Sequence, residues 1–139
     1  PGIYGPKRSV FESLINGTIK MIDKPGQIFS RIHVDDIAGA VLFLINLYSQ
    51  GKNPSVVNIA DDLPTNNLEV IDFAAKLANK SLPLKVPFDV AKNTMSPMAL
   101  SFWQENRKIS NKLLCKQLGY SLIYPDFKSG LKHCFSKLN

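Results

Sequence analysis

Cysteine is scarce in this sequence, with two in 139 residues, Cys115 and Cys134. Two are too few for a disulfide framework, and they lack the paired spacing of a zinc site, although His133 sits beside one of them. Ordinary buried or half-buried thiols are the expectation, with no metal, in a cytoplasmic protein. Long apolar runs are also missing. The longest, Ile37 to Tyr48, is interrupted by Gly39 and Asn46, and it falls short of the ~20 residues that a bilayer crossing needs. No charged-then-apolar leader opens the chain, so no membrane role is expected. Histidine is limited to His33 and His133, neither of which follows a nucleophile elbow, which leaves acyl-transfer chemistry without an oriented base. No glycine-rich turn of the G-x-G-x-x-G type occurs. Gly2-x-x-Gly5 alone opens no βαβ unit, so the backbone cradle that a dinucleotide pyrophosphate requires is absent.

Arginine is limited to three residues against 14 lysines, and the charge is unevenly placed. Residues 1–106 hold ten basic and ten acidic side chains, whereas residues 107–139 hold seven basic ones against Asp126 alone, which accounts for the whole net charge of +6. A basic tail raises the question of phosphate binding. Its spacing answers differently: Lys112 and Lys116, like Lys128 and Lys132, lie four apart beside stripes formed by Leu113, Leu114 and Leu118 and by Phe127, Leu131, Phe135 and Leu138. These are two amphipathic helices with solvated faces, and no nucleic-acid partner is expected.

The remaining pattern alternates helices with strands. Lys7 to Gly17 reads as a helix stopped by its glycine, and Gln27 to Val34 as a strand. Asp35 is the expected cap of a helix over Asp36 to Ser49. Ser55 to Ala60 (Ser-Val-Val-Asn-Ile-Ala) reads as a second strand, and Asn66 with Glu69 as a capping box opening a helix through Ala78. Leu82 to Pro87 is a proline-punctuated connector. A loop carrying Met95, Met98, Phe102 and Trp103 follows, then a short strand near Arg107 to Ser110 and the two basic helices. The length suits a single domain over residues 1–139 of α/β class, with at least some parallel pairing.

Four stretches carry a family resemblance. They are Pro1-Gly2-Ile3-Tyr4-Gly5-Pro6-Lys7-Arg8, Ser30-Arg31-Ile32-His33-Val34-Asp35-Asp36-Ile37-Ala38, Asn58-Ile59-Ala60-Asp61-Asp62, and Glu105-Asn106-Arg107-Lys108-Ile109-Ser110-Asn111 with Leu118-Gly119. In this order they resemble successive landmarks of the extended short-chain dehydrogenase/reductases, the group containing NAD-dependent epimerases and dehydratases, and most nearly its atypical bacterial members. The resemblance implies the C-terminal portion of a Rossmann-type fold. Family chains are about twice this length. Their N-terminal half carries the glycine fingerprint, a catalytic Ser or Thr, and a Tyr-x-x-x-Lys pair whose tyrosine serves as proton donor or acceptor, its pKa lowered by the lysine.

By that resemblance the chain is the substrate-side half of an NAD(P)-dependent epimerase, dehydratase or reductase, with its N-terminal dinucleotide-binding half on a separate chain or a missing segment. Opening on Pro, without Met, fits either a trimmed start or the later part of something longer. NAD or NADP is implied only together with the other half. Pro1, Gly2 and Ile3 would then line the nicotinamide pocket, or merely close a strand. Arg31 would hold a substrate diphosphate, or make a surface ion pair. Arg8 and His33 complete the expected substrate-binding set, with local packing and hydrogen bonding as the plainer role for His33. The Met95–Trp103 stretch is either a flexible pocket wall or core filling. The basic base-binding motif of the nucleotide-sugar epimerases is not found, which puts a UDP-sugar substrate in doubt.

Tyr48-x-x-x-Lys52 and Tyr124-x-x-x-Lys128 match the family pair in spacing only. Gly51 ends the first helix before its lysine, and Pro125 starts a helix after the second tyrosine, so neither pair shares a helical face. The alternative to half an enzyme is a non-catalytic binding or regulatory module on the same scaffold, or a remnant of a split gene. The Ile37–Tyr48 helix is apolar on nearly every side. If four or five of its side chains face an absent half at ~1.5–3 kcal/mol each, the deficit rivals the ~5–15 kcal/mol of a typical domain. An isolated chain is therefore expected to be inactive, and sticky, homo-oligomeric or partly molten.

Overall fold

Side-chain caps set most helix starts in the computed structural model, which describes residues 1–138. Helix α1 (Val10–Ile15) begins at Ser9, whose hydroxyl accepts Phe11 N–H while Glu12 reaches back to Ser9 N–H. Lys7, at φ 65°, lies in a tight turn before it, and Gly17, at φ 69°, lies just beyond the helix end. Helix α3 (Asn67–Leu77) starts at Asn66, which exchanges hydrogen bonds of 2.9 and 2.8 Å with Glu69. Helix α6 (Phe127–Ser136) starts at Asp126, reciprocally bonded with Ser129. Each cap satisfies donors that the first turn leaves unpaired.

The strands are short and parallel. Strand β1 (Gly2–Tyr4) pairs with β3 (Arg31–His33) in the register Ile3 opposite Ile32, and β2 (Met21–Asp23) pairs with β4 (Lys85–Pro87). The fold is α/β with strands alternating with helices, as expected. Helices α1, α3 and α6 share one apolar core in which Phe11, Ala74, Phe127 and Cys134 are buried. Phe127 meets the Phe73 ring edge-on at 5.8 Å. Gly130 is a glycine because Tyr4 lies where its Cβ would be.

The long helix α2 (Val34–Ser49) follows β3 directly and hangs on Asp36. This buried carboxylate accepts Ile123 N–H at 2.7 Å, Tyr124 N–H at 2.9 Å and the Tyr120 hydroxyl at 3.2 Å. The outward face of α2 stays bare, with Val41, Leu42, Ile45 and Tyr48 all exposed.

Several expectations are corrected. The cap of α2 is His33, whose Nδ1 accepts Asp35 N–H at 3.1 Å, so the helix starts at Val34, two residues before the start that an Asp35 cap implied. The strand over Gln27 to Val34 shrinks to Arg31–His33, and Val34 is already helical. Ser55 to Ala60 forms no strand among the described residues. Its end meets β3 only through Asp61 N–H on the Arg31 carbonyl, at 2.8 Å. Lys85–Pro87, read as connector, is β4. Met98, Phe102 and Trp103 lie on a helix, α5 (Pro97–Gln104), capped by Ser96, and α4 (Phe88–Ala91) precedes it. Around Leu113–Gln117 the first basic helix is a single widened turn. No strand forms at Arg107 to Ser110, because side chains replace the ladder there. Asn106 accepts Ile28 N–H and donates to the Gly26 carbonyl, both at 2.9 Å, and Ser30 Oγ accepts Ile109 N–H at 2.9 Å.

Candidate functional site

The turn Gly5-Pro6-Lys7-Arg8 closes with two backbone hydrogen bonds of 3.0 Å between Gly5 and Arg8. It folds Arg8 back beside β1. On the other side, Trp103 of α5 packs edge-on against Phe29 at 5.1 Å and stacks on Phe88 at 5.8 Å. Lys24 donates to the Trp103 carbonyl and sits over the Phe88 ring. These contacts hold α5 across from the chain start and leave an open cleft of about 620 Å³. Pro1, Gly2, Ile3, Arg8, Arg31, Phe102 and Trp103, drawn from three distant parts of the sequence, all line it. Met95 and Met98 do not. A neighbouring cavity of about 450 Å³ shares Ile3, Arg8, Arg31 and Asn67 with the cleft.

The two arginines differ in what remains free. Arg31 donates from one terminal nitrogen to the Phe29 and Thr65 carbonyls, both at 3.0 Å, and from the other to Asn67 Oδ1. Three of its five N–H groups are thereby used on its own protein, leaving one side of the fork for an anion. Burial lowers its pKa while Asp61 opposes that shift. Arg8 is exposed, and its side chain makes no hydrogen bond or ion pair among the described residues.

Asp61, which belongs to the Asn58–Asp62 stretch of the family resemblance but was assigned no role, is 1% exposed. Its Oδ1 accepts Leu63 N–H at 3.2 Å, while Oδ2 is buried without a partner. Burial pushes its pKa up to about 7, against the pull of the Leu63 hydrogen bond and the nearby Arg31. No short-range signal marked it, because an aspartate beside a turn is ordinarily solvated.

His33 is fully buried and lines neither cavity. With Nδ1 accepting from Asp35 N–H, its proton belongs on Nε2, which faces His133 Nδ1 at 3.3 Å. Burial lowers its pKa, so the ring is held neutral. His33, Asp35 and His133 bring ligand-type atoms within 4.8 Å of one another. Both ring nitrogens of His33 are already engaged, however, so a metal at either one would have to displace the hydrogen bond made there. Cys134 lies 4.0 Å from His33, its thiol pushed up to about 11 by burial, which keeps it protonated and unreactive.

For a dinucleotide, the residues fit one end only. Gly2 presents bare backbone at the cleft, where a Cβ would meet nothing closer than the Ser30 carbonyl at 3.8 Å. Nothing in the chain supplies a glycine-rich pyrophosphate cradle. Neither Tyr-x-x-x-Lys match replaces the family pair, since Gly51 at φ 79° follows the end of α2 and Asp126 caps α6 after Tyr124.

No family model and no curated protein matches this chain. Solved structures do. A conserved protein of unknown function from Silicibacter pomeroyi is 41% identical, with a TM-score of 0.85 over 97% of this chain and 46% of its own. The human epimerase family protein SDR39U1, solved with NADPH, is 17% identical with a TM-score of 0.79 over 98% of this chain and 46% of its own. A Methylobacillus flagellatus protein described as an NAD-dependent epimerase/dehydratase is 24% identical with a TM-score of 0.68, over 97% of this chain and 44% of its own. This chain thus spans less than half the length of each, and it has the fold of the C-terminal portion of a Rossmann-type epimerase. Among the described residues no helix is long and apolar enough to cross a membrane.

Proposed function

We propose that this chain is the substrate-binding half of an NAD(P)-dependent epimerase/dehydratase- or reductase-type enzyme, and that its dinucleotide-binding half is other polypeptide. The observation that carries the reading is the convergence of Pro1–Ile3, Arg8, Arg31 and the Phe102–Trp103 edge on one cleft. A free guanidinium, a half-free one and aromatic edges suit a small substrate with an anionic group and an apolar or planar part. When bound, a nicotinamide would supply the hydride chemistry. The residues of this chain would border its ring with the bare backbone of Gly2, orient the substrate through Arg8 and Arg31, and close the cleft with α5. The proton-transferring tyrosine and lysine belong to the other half.

The test joins the N-terminal part of the Silicibacter pomeroyi protein in front of Pro1. The fusion is expected to bind NADPH and the 139-residue chain alone is not, as read by quenching of tryptophan fluorescence. In the fusion, Arg8→Ala should leave NADPH affinity unchanged and weaken binding of anionic carbonyl compounds by about tenfold, the loss of one charged hydrogen bond. NADPH oxidation by the isolated chain would overturn the reading.

A further inference from the structure

Asn67 and Ile71, four apart on α3, and Phe127 and Leu131, four apart on α6, each share a helical face. These faces border the cavity of about 450 Å³ that adjoins the cleft. Its floor is Val70, Ile71, Phe127 and Leu131, each no more than 7% exposed, with Val10 and Ile19 as further apolar wall. Apolar side chains that border open space forgo contacts that a close-packed interior would make. The volume lies within the ~300–1,000 Å³ of small-ligand pockets, so the space suits a guest as apolar as its floor.

The mouth has the opposite character. Four residues border both this cavity and the cleft, and besides Ile3 they are Arg8, Arg31 and Asn67. All three keep N–H donors that make no hydrogen bond among the described residues: the Arg8 guanidinium, the rest of the Arg31 fork, and Asn67 Nδ2, whose Oδ1 is taken by Arg31. Lys7 and Lys20 also line the cavity, exposed and positive, and raise its potential. Glu12 is the one acid of its lining, and its Oε2 is committed to Ser9 N–H and Oγ, both at 2.7 Å. In the cleft, Glu105 is paired with Arg107 at 2.6 Å. No carboxylate borders both spaces. We propose that this junction and the second cavity form one site for an amphipathic anion, a carboxylate on an acyl or alkyl chain. The anion lies among Arg8, Arg31 and Asn67, and the chain extends over Val70, Ile71, Phe127 and Leu131. This deepens the reading above and rests on it, because it makes the substrate an acid with an apolar tail.

The cavity is built wholly from this chain, so the 139-residue protein itself is titrated. Octanoate should bind at least ~10-fold more tightly than butyrate, since each methylene buried adds up to about fourfold, and octylammonium should not compete. Backbone shifts in heteronuclear NMR should fall on α1 and α3. Arg8→Ala should weaken octanoate binding about tenfold. Ser13→Phe, which fills the cavity from α1, should remove the preference for the longer chain, and Ile19→Phe, at a half-buried position, is the second filler should that variant fail to fold. Octanoate and butyrate bound alike, octylammonium bound as tightly as octanoate, or a chain-length preference that survives the fillers or maps to α2 would each overturn the site. The fusion protein judges the functional reading separately. NADPH binding there with no chain-length preference here sinks the cavity site and leaves that reading standing. The preference without NADPH binding by the fusion supports the site and defeats the reading.

Discussion

The two sides of α2 show opposite solutions to the same composition. Towards the body of the protein, buried Ala40 and Leu47 and the Asp36 carboxylate are fully engaged. Towards solvent, Val41, Leu42, Ile45 and Tyr48 stay 46–67% exposed. Burial contributes ~25 cal/mol per Å² of apolar surface, so the inner side holds the chain together while the outer side offers it nothing in isolation. Under the proposed function the outer side is the one that the dinucleotide-binding half covers.

The largest expected effect lies in the α1–α3–α6 core. Phe127 is 1% exposed and touches Phe73 edge-on, so Phe127→Ala should cost about 3–5 kcal/mol. Urea denaturation followed by far-ultraviolet circular dichroism should find the variant largely unfolded in buffer. A loss under 1 kcal/mol would mean that this core is no better packed than the bare face.

A smaller effect comes from Asp61 and depends on pH. Unfolded, its carboxyl ionises near 3.8, whereas in the fold it keeps its proton to about 7. Folding therefore takes up a proton in between, and the stability linked to that group is present at pH 4 and lost as pH rises towards 7, at ~1.4 kcal/mol per pH unit of full displacement. Asp61→Asn keeps an acceptor for Leu63 N–H and cannot ionise. The variant should gain on the natural protein as pH rises, by a few kcal/mol between pH 4.5 and 8 in urea denaturation. Equal pH slopes for the two proteins would show that the carboxylate is solvated.

Local chemistry made much of this legible in advance. Asn66 with Glu69 marks a helix start by itself, because a cap acts over three residues. The convergence on one cleft of Pro1–Ile3, Arg8 and Arg31 needed the family pattern, since no short-range spacing links residue 8 to residue 103. Three features stayed hidden because each depends on a distant partner. Ser55–Ala60 has the alternation of a strand, but a ladder requires a second strand. Arg107 to Ser110 is held by Asn106 and Ser30, whose side chains stand in for backbone. Asp61 looks like any turn aspartate until the fold closes over Oδ2.

The smallest effect on stability, and the sharpest contrast with Phe127, belongs to the outer side of α2. Ile45 is 58% exposed and borders a hollow of about 410 Å³ that it shares with Val41, Tyr48, Lys52 and Val57. Ile45→Ser removes surface that is already in water, so the denaturation midpoint of the isolated chain should move by no more than ~0.5 kcal/mol. Binding of the dye ANS, which reports exposed apolar surface, should fall, and any self-association of the isolated chain seen by sedimentation should weaken, because the exposed apolar patch is smaller. The same substitution in the fusion protein should be costly, by about 1–3 kcal/mol, since there the side chain would be buried. Near-zero cost alone together with a measurable cost in the fusion would identify the outer face as an interface. Equal costs in both settings would mean that Ile45 supports the chain from within.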